Sequence, residues 1–343
     1  MNKQPNERTG SNGEKAVGVE TAANKAAAKD KFAAKDKITA KDKSAANAEK
    51  SRGNENTERN KTSKAAETGK TAESENSAEE VQKMLDVLPD FRGIFDSHAH
   101  YDDEKFDGIR APLLEGLFSG GLSGIVTCGC DVDSSKAAIA LSHQYKGMYA
   151  AVGFHPENLP PHEPELSALL PLLEDEKTVA VGEIGLDYYW DIEKPLQKAW
   201  FEAQLVFANR AELPVIVHDR EAHADTLALL QKYKPRGVVH CFSGSVETAK
   251  ELLKLGLYLG VGGVVTFKNA RKTVEVCEML PSDRLLLETD CPYLAPAPFR
   301  GKLCHSGLIA FTAARIAEIR GVTVEEIIKT SAENAKRLFK IAE

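Results

Sequence analysis

Between residues 93 and 289 the chain repeats one local pattern. A short apolar run rich in β-branched residues is followed by a stretch whose apolar side chains recur at helical spacing. Strands are expected at Gly93–His98, Gly124–Cys128, Met148–Phe154 and Thr178–Glu183, then at Leu213–His218, Gly237–Cys241, Tyr258–Gly262 and Leu285–Thr289. Continuous apolar runs of this length suit strands covered on both faces, as in a parallel sheet. The clearest helix is Pro195–Ala211, where Leu196, Trp200, Ala203 and Phe207 share one face and Pro195 suits the first turn. Val246–Leu255 and Leu308–Arg320 have the same spacing. Eight strands alternating with helices over about 250 residues is the arithmetic of a (β/α)8 TIM barrel. The rival is a doubly wound open sheet, which normally places a Gly-rich phosphate turn after its first strand. Here the first strand runs into Asp96-Ser97-His98-Ala99-His100 instead.

Composition bounds this domain. Residues 1–80 hold 16 Lys/Arg and 14 Asp/Glu, with few apolar side chains beyond alanine, and repeat Ala-Lys-Asp-Lys at 28–31, 34–37 and 40–43. Such a stretch cannot bury enough surface to offset its ordering entropy, so it reads as a disordered low-complexity tail whose partner, if it has one, is unknown. Residues 81–92 read as a linker, and 93–341 as the barrel. The barrel region is acidic, with 28 basic and 37 acidic side chains over 81–343, which argues against a broad electrostatic grip on nucleic acid. No apolar run is long enough to span a membrane, and no secretory leader is visible. The six cysteines are too dispersed for a disulfide framework, so reduced thiols and a cytoplasmic setting are expected.

In such a barrel the chemistry sits at the C-terminal strand ends. Those ends carry His98 and His100, His155, Glu183 followed by Asp187, His218, His240, and Asp290. His98 and His100 are two residues apart on a strand and so point to the same side. The joint clustering of imidazoles and carboxylates predicts a metal site of Zn, Mn or Mg type. Among these, four His and two acidic residues close five of the eight strands; six donors are too many for one tetrahedral zinc with an open position, and suit two ions sharing a carboxylate. Two such ions can activate water and clamp a phosphodiester. His143, His162 and His223 are expected to bind nothing, His223 as a surface residue. The glycines at 260–263 suggest close packing rather than phosphate binding.

Six segments occur in order: Phe95-Asp96-Ser97-His98-Ala99-His100, Gly153-Phe154-His155-Pro156, Gly182-Glu183-Ile184-Gly185-Leu186-Asp187-Tyr188, His218-Asp219-Arg220-Glu221-Ala222, His240-Cys241-Phe242-Ser243-Gly244-Ser245 and Leu287-Glu288-Thr289-Asp290-Cys291-Pro292-Tyr293-Leu294. Over roughly 93–341 the chain resembles the TatD family of metal-dependent hydrolases, deoxyribonucleases within the wider amidohydrolase-like barrels. The resemblance implies that His98, His100 and Asp290 hold one ion, that Glu183 bridges two, and that His218 and His240 complete the second. It implies Asp290 as the base, His155 as a non-ligand histidine near the scissile phosphate, and Asp187 as a residue orienting a ligand. Arg220 is a candidate phosphate contact by its guanidinium geometry, with an ion pair inside its loop as the alternative. One departure stands out. After Phe299-Arg300-Gly301-Lys302 the family commonly continues Asn-Glu-Pro, whereas this chain has Leu303 and then Cys304-His305-Ser306. His305 is expected to be an exposed loop residue, with an added phosphate contact as the alternative, and the change to touch the rim rather than the ligands.

The expected reaction is hydrolysis of DNA phosphodiesters by metal-activated water, at strand ends or on single strands. RNA as substrate stays open. Lys268, Arg271, Lys272, Arg300 and Lys302 would supply a small basic rim. A metal-dependent amidohydrolase or lactonase on the same scaffold is the alternative, because fold and metal do not determine substrate. A non-enzymatic scaffold is a third reading, opposed by the complete donor set.

Overall fold

The computed structural model describes residues 77–342. Eight parallel strands follow one another around a single sheet in sequence order: β1 Phe95–Ala99, β2 Gly124–Cys128, β3 Met148–Val152, β4 Thr178–Asp187, β5 Val215–Arg220, β6 Gly237–Val239, β7 Tyr258–Val261 and β8 Leu285–Leu287. Nearly every strand residue is buried, as expected when side chains fill the barrel on one face and meet helices on the other. The sheet closes between its first and last strands. Ala99 bridges to Cys291, the His100 N–H donates to the Cys291 carbonyl at 2.8 Å, and the Asp290 N–H donates to the His98 carbonyl at 3.0 Å. A buried side chain reinforces this seam, because the Asp96 carboxylate accepts both the N–H and the hydroxyl of Thr289. The TIM-barrel expectation therefore holds, and the open-sheet alternative does not.

Strand ends depart from expectation where pairing is irregular. β4 does not stop at Glu183 but continues to Asp187, paired with β5 as far as Arg220. Its register slips between Val181 and Ile184, and in that slip the Glu183 N–H donates to the Gly129 carbonyl at 3.1 Å. Glu183 thus projects from mid-strand. A second slip, between Asp96 and Ala99 on β1, lies where His98 projects.

Helix Lys194–Ala211 forms as the spacing predicts, with Pro195 in its first turn. Its buried face is rotated from the predicted one. Trp200 and Phe207 are buried as expected, but Leu196 and Ala203 are only partly so, and Gln197 and Gln204 take the inward positions. The last helix, Val324–Phe339, packs on β1 and β8 with Phe339 stacked on Phe95.

The tail lies outside the described residues except for its last few, and the expected linker proves to be structured. Residues 77–86 are helical and Val81 is buried. The Leu85 side chain lies so close to Gly116 that a Cβ there would come within 2.4 Å of it. Leu85 lies against Gly116 and Leu88 against Gly307, so apolar side chains of this segment find partners on the barrel. Among the described residues no helix is long and apolar enough to cross a membrane, and all six cysteines are free.

Candidate metal centre

The structure brings the six predicted donors into one cluster with Glu183 among them. Its Oε2 lies 3.3 Å from His98 Nε2 and 3.2 Å from His100 Nε2. Its Oε1 lies 2.7 Å from both His218 Nδ1 and His240 Nε2, and 3.4 Å from His155 Nε2. Asp290 Oδ1 is 3.4 Å from His98 Nε2 and 3.5 Å from His100 Nε2. One carboxylate thus divides the donors into two sets. Donors held at about 2.0–2.2 Å from a common ion stand about 3 Å apart, so these separations suit coordination shells. Three groups of candidate ligands emerge: His98, His100 and Glu183; His98, His240 and Asp290; and His155, Glu183 and His218. The third includes His155, predicted as a non-ligand, in the same cluster. The residues present fit divalent cations.

Hydrogen bonds aim the imidazoles. His100 Nδ1 donates to the Cys128 carbonyl at 2.9 Å, leaving Nε2 free to ligate. His218 Nε2 donates to Asp187 Oδ2 at 2.9 Å, leaving Nδ1 facing Glu183. Asp187 thereby orients the His218 ring, a candidate ligand, and such partners fix both tautomer and ring position. Its other oxygen accepts the Tyr189 N–H at 2.9 Å. The His98 and His240 rings stack with centroids 3.9 Å apart.

Burial and charge compete at these groups. Burial resists charge on His98 and His100, but the surrounding thiols and carboxylates outweigh it, holding both well above the usual histidine value. His218 behaves the same way and is raised to about 9 by Asp187 and Glu183 against the effect of burial. His240 is pushed down to about 4 by burial and by the neighbouring His98. Burial would raise the carboxyls of Glu183 and Asp290, yet the imidazoles around them hold both well below the ordinary range. Without a cation the pocket is a proton-sharing cluster, and a metal must displace those protons to enter.

Several residues that build the site carry no motif signal. Gln204 is fully buried; its Oε1 accepts the Phe154 N–H at 2.7 Å and its Nε2 donates to the Phe154 carbonyl at 3.0 Å. It thereby holds the chain one residue before His155. Gln197 does the same for Asp187, accepting its N–H at 2.8 Å and donating to its carbonyl at 2.7 Å. The available clue was two amides on an otherwise apolar stripe. Behind His98, Asp96 binds Thr289 and the Ser306 hydroxyl (2.7 Å), and Ser306 Oγ also pairs with Tyr101 Oη at 2.8 Å. Glu288, beside His240, is buried; its Oε1 accepts the Cys241 N–H, its Oε2 has no partner, and burial pushes its carboxyl up to about 8. Gly260 makes room for it, since a Cβ there would lie 2.1 Å from Glu288 Oε2. Close packing is thus what this glycine serves.

Two other expectations change. His305 is not an exposed loop residue. It is buried, its Nδ1 has no hydrogen-bond partner, and burial lowers it to about 4. The loop turns inward because Ser306 reaches Asp96, so the departure at Cys304-His305-Ser306 lies behind the donors rather than on the rim. His223 is not simply a surface side chain, for it opens helix His223–Tyr233 with its Nδ1 2.7 Å from Asp219 Oδ2. Arg220 lies with its guanidinium 3.8 Å from the Tyr189 ring centroid and 3.9 Å from Asp187 Oδ2. His143 pairs with Asp175 and His162 contacts the Glu163 carbonyl, neither with the six donors. Lys268, Arg271, Lys272, Arg300 and Lys302 are all exposed, with Arg271 tied to Glu275 at 2.8 Å.

Comparison with known proteins agrees with this geometry. A family profile described as TatD related DNase matches residues 95–340. The uncharacterized metal-dependent hydrolase YabD of Bacillus subtilis is 42% identical over 253 residues, covering 72% of this chain and 99% of that protein. The uncharacterized metal-dependent hydrolase YcfH of Escherichia coli is 35% identical over 256 residues, covering 72% and 96%. The crystal structure of YjjV, a TatD homologue from Escherichia coli, superposes with a TM-score of 0.68 at 34% identity, covering 73% of this chain and 99% of that one. Motif order, barrel and donor cluster converge with these matches on one conclusion: the chain belongs to the TatD family of metal-dependent hydrolases.

Proposed function

We propose that this protein hydrolyses phosphodiester bonds of DNA at strand ends or in single strands, using two divalent cations held on either side of Glu183. The observation that carries this reading is the division of the donors by one carboxylate. Its Oε2 faces His98 and His100, and its Oε1 faces His218 and His240. The family description as TatD related DNase supports DNA as substrate. When bound, such a cation pair polarises water and neutralises charge on the phosphate.

The chain's own groups supply the rest. Asp290, held deprotonated by the adjacent imidazoles, takes the proton of the attacking water. His155, with Nδ1 accepting the Glu157 N–H at 3.2 Å, turns Nε2 toward the pocket and the phosphate. Arg220 stands at the rim and can swing from Tyr189 to a phosphate oxygen, where its fork binds bidentately. The basic side chains beyond β7 and β8 are few, so few phosphates are gripped and salt dependence is shallow.

The test is a metal-by-substrate screen. Purified protein with Mg, Mn or Zn is given single-stranded, nicked and duplex DNA, RNA, bis-p-nitrophenyl phosphate and a lactone panel. Cleavage of DNA from an end or along a single strand is expected. Lactone or cyclic amide hydrolysis with DNA left intact would replace this reading with an amidohydrolase. The Asp290→Asn variant should lose on the order of 10²–10⁴-fold in rate, and full activity in it would remove Asp290 as the base.

A further inference from the structure

Two large aromatic side chains stand exposed just beyond β4, Tyr189 at 54% and Trp190 at 48% of full accessibility. Their rings meet at nearly a right angle with centroids 5.0 Å apart. An exposed pair of large aromatic rings marks a candidate interaction site. The loop that carries them is tightly held. Buried Gln197 donates to the carbonyls of Asp187 (2.7 Å) and Ile192 (3.1 Å), clamping the loop on both sides of the pair. The Tyr189 N–H donates to Asp187, the same carboxylate that orients His218. The aromatic pair is therefore anchored through a single side chain to a candidate metal ligand.

The neighbours of each ring separate their roles. Tyr189 already has the Arg220 guanidinium over one face. Tyr293, the other exposed aromatic at this mouth, has the Lys105 ammonium 3.8 Å from its centroid and a hydrogen bond to Asp103. Trp190 has no cation over its ring and no partner for its indole N–H among the described residues. A flat, open π-surface beside a cation and a phosphate-handling centre suits one ligand chemistry, a nucleobase whose backbone phosphate lies at the metal centre. The base must be unpaired or terminal, because inside a duplex both of its faces are stacked on neighbours.

We propose that Trp190, with Tyr189 as its side wall, is a stacking site for an unpaired nucleobase next to the scissile phosphate, and that Arg220 adds positive charge where the strand enters. This proposal rests on the DNA reading above and gives it a structural basis for choosing single strands and strand ends. Because every base has a π-face, the site binds with little sequence preference.

Trp190 is one of two tryptophans in the chain, and the other, Trp200, is fully buried. Metal-loaded protein is titrated with a phosphorothioate-linked oligothymidylate that resists cleavage, following tryptophan fluorescence and, separately, anisotropy of a labelled strand. Saturable quenching is expected in the wild type. Trp190→Phe should lose the quenching yet keep most of the affinity. Trp190→Ala should bind about 5- to 150-fold more weakly, the equivalent of losing one base–aromatic stack. An abasic nucleotide beside the scissile linkage should weaken wild-type binding as much, and the two losses should not add. If the wild type cleaves DNA but Trp190→Ala binds and cleaves it equally well, the stacking site is overturned and the DNA reading stands. If the wild type cleaves no nucleic acid with any metal, the DNA reading itself falls.

Discussion

Replacing Gln204 with leucine removes a side chain that touches neither metal donor nor solvent, yet it should damage both stability and catalysis. Gln204 is fully buried, and its amide satisfies the N–H and the carbonyl of Phe154 at 2.7 and 3.0 Å. Leucine fills similar volume but leaves both backbone groups unpaired in a dry site. Each orphaned group costs about 1–3 kcal/mol, and leucine returns part of this by burying apolar surface, so a net loss of about 2–4 kcal/mol is expected. For a folded unit of this size that corresponds to a fall in Tm of roughly 4–16 °C. The assay is thermal unfolding of the metal-loaded protein followed by circular dichroism, with hydrogen exchange at the Phe154 and His155 amides as a local readout. Exchange at both should accelerate, because His155 follows Phe154 directly and its own N–H reaches the Cys130 carbonyl at 2.9 Å. A Tm within about 2 °C of the wild type, with unchanged exchange, would refute the claim that this amide holds the loop.

Other perturbations test neighbouring parts of the same scaffold. Gly260→Ala places a Cβ against the Glu288 carboxylate and 3.0 Å from the His240 Cα, so it should cost about 1–3 kcal/mol by overpacking, read as a lower urea midpoint. Asp187→Asn cannot satisfy both His218 Nε2–H and the Tyr189 N–H with its one oxygen. Metal affinity should fall about 10- to 100-fold in competition with a chelating indicator, and the unfolding midpoint of the metal-free protein should fall as well, because a buried donor is left unpaired and the ion pair with protonated His218 is lost. Metal affinity should also rise with pH between 6 and 9, because the His218 imidazole, raised to about 9, must lose its proton to ligate. In the metal-free protein the sign is opposite. The protonated imidazole stabilises the fold below its unfolded value near 6.5, and that contribution fades as pH rises through about 9. Calorimetric zinc titrations at several pH values read the first effect, and urea midpoints of the apo protein read the second.

Most of the barrel is legible in sequence because burial on both faces leaves a local signature. Parallel strands inside helices must be apolar at successive positions, and all eight runs stand out for that reason. The six donors are legible because strand-end polarity is rare and cooperative, so His98, His100, Glu183, His218, His240 and Asp290 suggest one another. Where pairing slips, local reading fails. Glu183 projects from the interior of β4 rather than its end, since the irregularity between Val181 and Ile184 depends on the neighbouring strand. The segment before Phe91 reads as a linker, yet it is helical over 77–86, because its few apolar residues gain value only from the surface they meet.

The chain alone therefore determined the architecture and the chemistry of the donors, since both follow from periodicity and from which side chains can bind a cation. Only the folded protein decided how those donors are aimed and supported. Gln197 and Gln204 look like ordinary helix polar residues until their amides meet the backbone of β4 and the loop after β3. His305 looks like a loop residue until Ser306 reaches Asp96 across the closing seam. Hydrogen bonds between segments far apart in sequence leave no periodic trace, because their partners are selected by three-dimensional proximity rather than by spacing along the chain.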